Sequence, residues 1–131
     1  MQELFIGVDI GGTRTKSGLV NIDTGEVLHS IVQPTEKKMV DVFIEGVGDT
    51  ISACKGIAAE KGKTIAGIGF GIPGFMTAEG KVLTTYGFLD FMEEYPLKSI
   101  VENRFSLPCL LDNDARIVAL GGSLVRQRQR A

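Results

Sequence analysis

The sequence predicts an α/β domain: a mixed five-stranded sheet, three antiparallel strands followed by parallel additions, with helices packed against it in the order βββαβαβα. Three observations carry this. Three strand-like segments open the chain, and their connections are too short for a crossover, so they form an antiparallel meander. A long stretch then places apolar residues at three- and four-residue steps. Two apolar strand-like segments follow, separated by a second periodic stretch, as parallel strands linked by helices would be.

Residues 3–10 alternate loosely and read as the first strand, and residues 17–22 as the second. The segment NIDTG is a turn by composition and leads into a third strand over residues 26–33, which Pro34 stops. Val40, Phe43, Ile44, Val47, Ile51, Cys54 and Ala58 share one helical face. Gly46, Gly48 and Gly56 lower the intrinsic propensity of that helix, so it depends on packing, and Gly62 ends it. IAGIGFGI, residues 65–72, is apolar almost throughout, like a strand covered on both faces. Pro73-Gly74 breaks it, and residues 81–85 form the extra strand of a hairpin arm. A second helix covers residues 97–105, with Leu97, Ile100, Val101 and Phe105 inward; a strand follows at 108–111, and a third helix from about Ala115.

At 131 residues and 44% hydrophobic content the chain has the size and apolar material of one folded domain. A net charge of −2 offers no basic face for nucleic acid, and the basic ending RQRQR reads as a solvated tail. Cys54 and Cys109 have no neighbours at metal spacing, and His29 is the sole histidine, so no zinc site is expected within this chain. No signal peptide pattern and no apolar run of membrane length is present, which makes a reducing cytoplasm the expected location.

Three polar or glycine-rich segments fall where strands end. VDIGGTRTKSGLV places Gly11-Gly12-Thr13 between the first two strands; GIPG, from Gly71 through Pro73 to Gly74, follows the fourth; Asp112-Asn113-Asp114 ends the fifth and opens the third helix. Each has a plain structural explanation: a hairpin turn needing positive φ, a proline turn, a helix cap. Together they point to a site, because ligands gather at the carboxyl ends of strands in open α/β sheets. Backbone N–H groups around Gly11 and Gly12 suit phosphate oxygens, with Thr13 adding a hydroxyl and Arg14 or Lys16 positive charge. Asp9 suits Mg²⁺ held through water. Asp114 suits removal of a proton from an attacking hydroxyl, and Asn113 the gripping of a polyol.

On DIGGT, then GIGFGIPGF, then LPCLLDNDARIVALG, the chain resembles the N-terminal half of the ROK family (repressor, open reading frame, kinase) of the sugar kinase/Hsp70/actin superfamily. The resemblance implies a ribonuclease H-like, actin-like ATPase domain over residues 1–122 and an ATP- and Mg²⁺-dependent kinase of hexoses or N-acetylhexosamines. It implies a phosphate loop at Gly11, Gly12, Thr13 and Lys16 with Asp9 near the metal, a sugar pocket lined by Gly71, Pro73, Gly74 and Asn113, and Asp114 as catalytic base.

The chain departs from the family pattern in four places. The family's second domain, with its adenosine pocket and zinc motif, has no counterpart. TTYGFLDF stands where an Asn-Leu pair often contacts sugar, Gly122 replaces a usual glutamate, and residues 123–131 form a basic tail unlike the family's continuation. A truncated or frame-disrupted product, or a deliberately isolated domain, is therefore expected, with little or no turnover alone. An apolar cleft face left uncovered predicts self-association. The competing readings are a sugar-sensing ROK regulator without its DNA-binding domain and a non-catalytic dimerisation remnant.

Overall fold

The computed structural model describes residues 3–21, 23–72, 75–84 and 92–112. β1 (Glu3–Ile10), β2 (Arg14–Asn21) and β3 (Val27–Pro34) form the antiparallel meander. The turn after β2 is built by Asn21, whose side-chain oxygen accepts the N–H groups of Asp23 and Thr24 at 2.9 and 3.3 Å, while Gly25 supplies the positive φ of 76°. Pro34 belongs to β3, one residue beyond the predicted end. It sits on the edge strand, where a missing N–H breaks no ladder.

α1 (Val40–Glu60) follows and buries Phe43, Ile44, Val47, Ile51, Cys54 and Ala58, the predicted face. Glu36 organises the approach to it, its carboxylate accepting the N–H groups of Lys38 and Met39 at 2.9 and 3.1 Å. Gly62, in the left-handed region at φ 66°, turns the chain out of the helix as Lys63 donates its N–H back to the Ala58 carbonyl. β4 (Thr64–Gly71) then runs parallel to β1. A small two-stranded sheet, β5 (Phe75–Met76) with β6 (Val82–Thr84), forms the hairpin arm. α2 (Leu97–Phe105) has its predicted bounds and ends at Ser106 in the left-handed conformation. β7 (Cys109–Asp112) runs parallel to β4 and completes a sheet of order β3-β2-β1-β4-β7. The third helix expected from Ala115 lies outside the described residues.

Strand pleating divides the sheet into two faces. Leu4, Ile6, Val8 and Ile10 of β1, Ile68 and Phe70 of β4 and Cys109 of β7 share one face and form a single core with α1 and α2. The two helices meet where Gly48 leaves space: a Cβ there would stand 3.3 Å from the Phe105 ring. Lys55 Nζ donates to the Phe105 carbonyl and Arg104 pairs with Glu45 at 3.0 Å, fixing the helices side by side. The opposite face carries Phe5, Gly7, Asp9, Gly18, Lys16, Gly69 and Gly71, so Asp9 and Lys16 stand on the face away from this helical layer.

Candidate functional site

A single rung of the ladder crosses all five strands: Val32 pairs with Lys16, Lys16 with Asp9, Asp9 with Gly71, and Gly71 with Asp112. Because β1, β4 and β7 are parallel, their carboxyl ends lie on one edge of the sheet. Adjacent strands are about 4.8 Å apart, so the Asp9 and Asp112 backbones flank Gly71 with about 10 Å between them. Gly71 places no side chain in that gap. The rung thus offers a base open from above, with a carboxylate on either side and the Lys16 ammonium beyond Asp9.

The β1–β2 connection is tighter than the sequence suggested. The ladder continues through Ile10↔Thr15, and the Gly11 N–H donates to the Arg14 carbonyl at 2.9 Å. Gly12 and Thr13 alone form the loop, so Arg14 and Lys16 belong to β2, which starts three residues before the expected position. The antiparallel ladder absorbs the polar segment because alternate residues, Thr15 and Ser17, are buried while Arg14 and Lys16 point outward. The expected reason for glycine also changes. Gly11 does not occupy the positive-φ region; a Cβ on it would stand 2.7 Å from the Arg14 carbonyl oxygen, closer than packing allows.

Beneath this turn lies Thr35, which no motif or spacing in the sequence singles out. Its N–H donates to the Thr13 carbonyl at 2.9 Å and its hydroxyl to the Gly11 carbonyl at 2.8 Å. Thr15 Oγ1 lies 2.9 Å from Thr35 Oγ1, and since the Thr35 proton is already given to Gly11, Thr15 is the donor of that bond.

Asp9 is partly buried, and burial raises its carboxyl above the ordinary 3.8; the Lys16 ammonium across the ladder pulls in the other direction and only partly offsets this. A half-buried carboxylate oxygen at a strand end is a hard donor of the kind Mg²⁺ takes, directly or through water. Asp112 is exposed at the far side of the rung, and its carbonyl accepts the Ile72 N–H at 2.8 Å, tying the start of the GIPG segment to β7.

Of the predicted site residues, Asp9, Gly11, Gly12, Thr13, Lys16 and Gly71 are brought to this edge. Pro73, Gly74, Asn113 and Asp114 lie outside the described residues, although the strands leading to them end on the same rung. A cleft of about 50 Å³ between β3 and α1, lined by Thr15, Gln33, Glu36 and Val42 among others, has space for little more than a water molecule and is no sugar pocket. Cys54 and Cys109 are buried and free, and burial pushes the Cys109 thiol up to about 12, so neither is a ready nucleophile. Among the described residues no cluster of His, Cys, Asp or Glu is arranged to hold a metal by itself, and no helix is long and apolar enough to cross a membrane.

The ROK family model matches residues 5–131. A glucokinase of Streptomyces coelicolor is 36% identical over 121 residues, covering 90% of this chain and 35% of that enzyme. A xylose repressor of Caldicellulosiruptor bescii is 33% identical over 123 residues, covering 89% of this chain and 29% of the repressor. Among solved structures, a ROK glucokinase of Streptomyces griseus in complex with glucose and AMPPNP superposes with a TM-score of 0.65 at 34% identity, over 90% of this chain and 35% of that one. The chain thus spans about a third of the length of the proteins it matches. The mixed five-stranded sheet and its helices are the actin-like ATPase fold of those kinases. With sequence motifs, sheet order and a family match over nearly all its residues in agreement, this chain belongs to the ROK family.

Proposed function

We propose that this chain carries the phosphate-binding and sugar-holding half of an ATP-dependent kinase of hexoses or N-acetylhexosamines. The observation that supports it most is the common rung, which gathers Asp9, Gly71 and Asp112 at the carboxyl ends of three parallel strands. In this reading the turn at Gly11, Gly12 and Thr13 receives nucleotide phosphates, with Lys16 adding charge. Asp9 holds Mg²⁺ through water, and bound there the ion screens the phosphate charge. Gly71, Pro73, Gly74 and Asn113 line the sugar, and Asp114 takes the proton of the attacking hydroxyl. ATP as donor and a sugar as acceptor are supported by the ROK glucokinase bound to glucose and AMPPNP.

The likeness to a xylose repressor brings in the sensor reading. A sensor has no step that needs a proton acceptor beside the sugar, so Asp114 next to Asn113 favours the kinase. Phosphoryl transfer also requires donor and acceptor to be aligned and water shut out, usually by two domains closing. By itself this chain is expected to bind without turning over, in the cytoplasm, as a self-associating species. Strand β3, the outer strand of the sheet among the described residues, bears no charged residue and exposes Val27 and Val32 by more than half, which supports the last point.

Titration of the chain with Mg-ATP and then with a panel of hexoses and N-acetylhexosamines, followed by two-dimensional amide NMR, tests this reading. Shifts at Gly11, Gly12 and Gly71 are expected; a dispersed spectrum indifferent to every ligand would leave only a scaffold. Light scattering across a concentration series is expected to show mass rising above the monomer, and a constant monomer mass excludes self-association. A coupled assay giving substantial turnover that Asp114→Asn abolishes would show the chain to be active alone.

A further inference from the structure

We propose that Thr35 is a positioning residue for the nucleotide phosphates, an inference that rests on reading the Gly11–Thr13 turn as their receiver. Thr35 follows the last residue of edge strand β3, outside the glycine-rich motif, yet it takes two of that turn's carbonyls. Its hydroxyl holds Gly11 C=O and its N–H holds Thr13 C=O, at 2.8 and 2.9 Å. It is buried, 8% exposed, and Thr15 donates to its oxygen from below, so the hydroxyl has one orientation.

The consequence follows from peptide geometry. The described residues contain no cis peptide bond, so the C=O of one residue and the N–H of the next point in opposite directions. Turning Gly11 C=O toward Thr35 turns the Gly12 N–H away from it. Thr15 projects from the sheet face that packs on α1, since it pairs with Ile10 of the core. The Thr35 hydroxyl bonded to Thr15 lies on that side, and the Gly12 N–H is therefore directed to the side of Asp9 and Lys16. A phosphate approaching there meets a donor, with the turn's lone pairs held behind it. Released from Thr35, the same peptide can rotate and present its carbonyl oxygen to the anion instead.

The test compares Thr35→Val, which keeps shape and deletes the hydroxyl, with Thr35→Ser, which keeps the hydroxyl. Affinity for Mg-ADP, hydrogen exchange of the Gly12 amide without nucleotide, and thermal melting are measured for both and for the unaltered chain. Thr35→Val is expected to weaken Mg-ADP about fivefold, the effect of losing one neutral hydrogen bond, and to speed exchange at Gly12. Thr35→Ser is expected to restore both. Equal affinity and exchange in Thr35→Val, or a Ser variant as impaired as the Val variant, overturns the proposal. If the unaltered chain itself ignores Mg-ADP, the phosphate-loop reading fails and this role with it; if it binds and Thr35→Val binds equally, only the role of Thr35 fails. Should Thr35→Val not fold, Thr15→Val replaces it, and an unchanged Gly12 exchange rate and affinity in that variant overturns the proposal equally.

Discussion

Gly11→Ala is expected to lower affinity for Mg-ADP by about tenfold or more, which corresponds to about 1.4 kcal/mol, and to destabilise the fold by about 1–3 kcal/mol, the usual range for overpacking. The methyl group would stand 2.7 Å from the Arg14 carbonyl oxygen, which is backbone and cannot swing aside. Relief requires opening the Gly11–Arg14 pair, and that pair is closed by the 2.9 Å bond from Gly11 N–H to the same oxygen. The turn would widen, Gly11 C=O would leave the Thr35 hydroxyl, and the peptide proposed to receive the phosphates would lose its orientation. Gly56→Ala makes the comparison informative. Gly56 is an exposed position within α1 with nothing within 4 Å of an added Cβ, so alanine there is expected to stabilise by about 0.5–1 kcal/mol through helix propensity. Chemical denaturation of the two variants, alongside isothermal titration with Mg-ADP, reads both effects. Unchanged affinity in Gly11→Ala would show that the turn does not need its present shape to bind.

Much of this architecture was legible because local pattern and tertiary role agree. α1 was readable from seven apolar residues at helical spacing, all buried but the partly buried Val40, and α2 from Leu97, Ile100, Val101 and Phe105, of which Ile100 is partly buried and the others buried. The apolar run of β4 announced a strand covered on both faces, and residues 67–71 are buried throughout. That the strands leading to the three polar or glycine-rich segments end on one edge was readable too, because parallel strands must do so. What the sequence did not disclose was register and long-range polar contact. β2 begins at Arg14 because the ladder with β1 runs on to a two-residue loop, and nothing in GGTRTKS distinguishes a strand with alternate polar residues from a longer polar turn. Gly11 was expected to provide positive φ, whereas its use is close approach to a carbonyl. Thr35 was silent, since a threonine after a proline at a strand end has many uses. Its bond to Gly11 joins residues 24 apart in sequence, and only the folded meander brings them together.

Asp9→Asn is expected to move stability and binding in opposite directions. In the unfolded chain the Asp9 carboxyl titrates near 3.8; in the folded protein burial raises that value, and Lys16 only partly counters it. Between the two values the folded form holds the proton more tightly than the unfolded form does. Stability from this group is therefore fully present below 3.8 and is lost as pH rises through the folded value, so at neutral pH the fold carries an ionised carboxylate that burial disfavours. Asparagine removes that cost: its melting temperature at pH 7 is expected to exceed that of the unaltered chain, and the difference is expected to vanish as pH falls below the carboxylate range. The same substitution removes the negative charge that would orient a hydrated Mg²⁺, and loss of such an outer-shell partner typically weakens metal binding by roughly ten- to a hundredfold. Binding of ADP is then expected to become indifferent to Mg²⁺, which titrations with the ion and with a chelator would reveal. A variant less stable at pH 7 would mean that Asp9 has a structural partner worth more than its desolvation, and retained Mg²⁺ dependence would place the metal elsewhere. If both expectations hold, Asp9 is a residue the fold would be more stable without, and its presence is explained by the ion it would face at the end of β1.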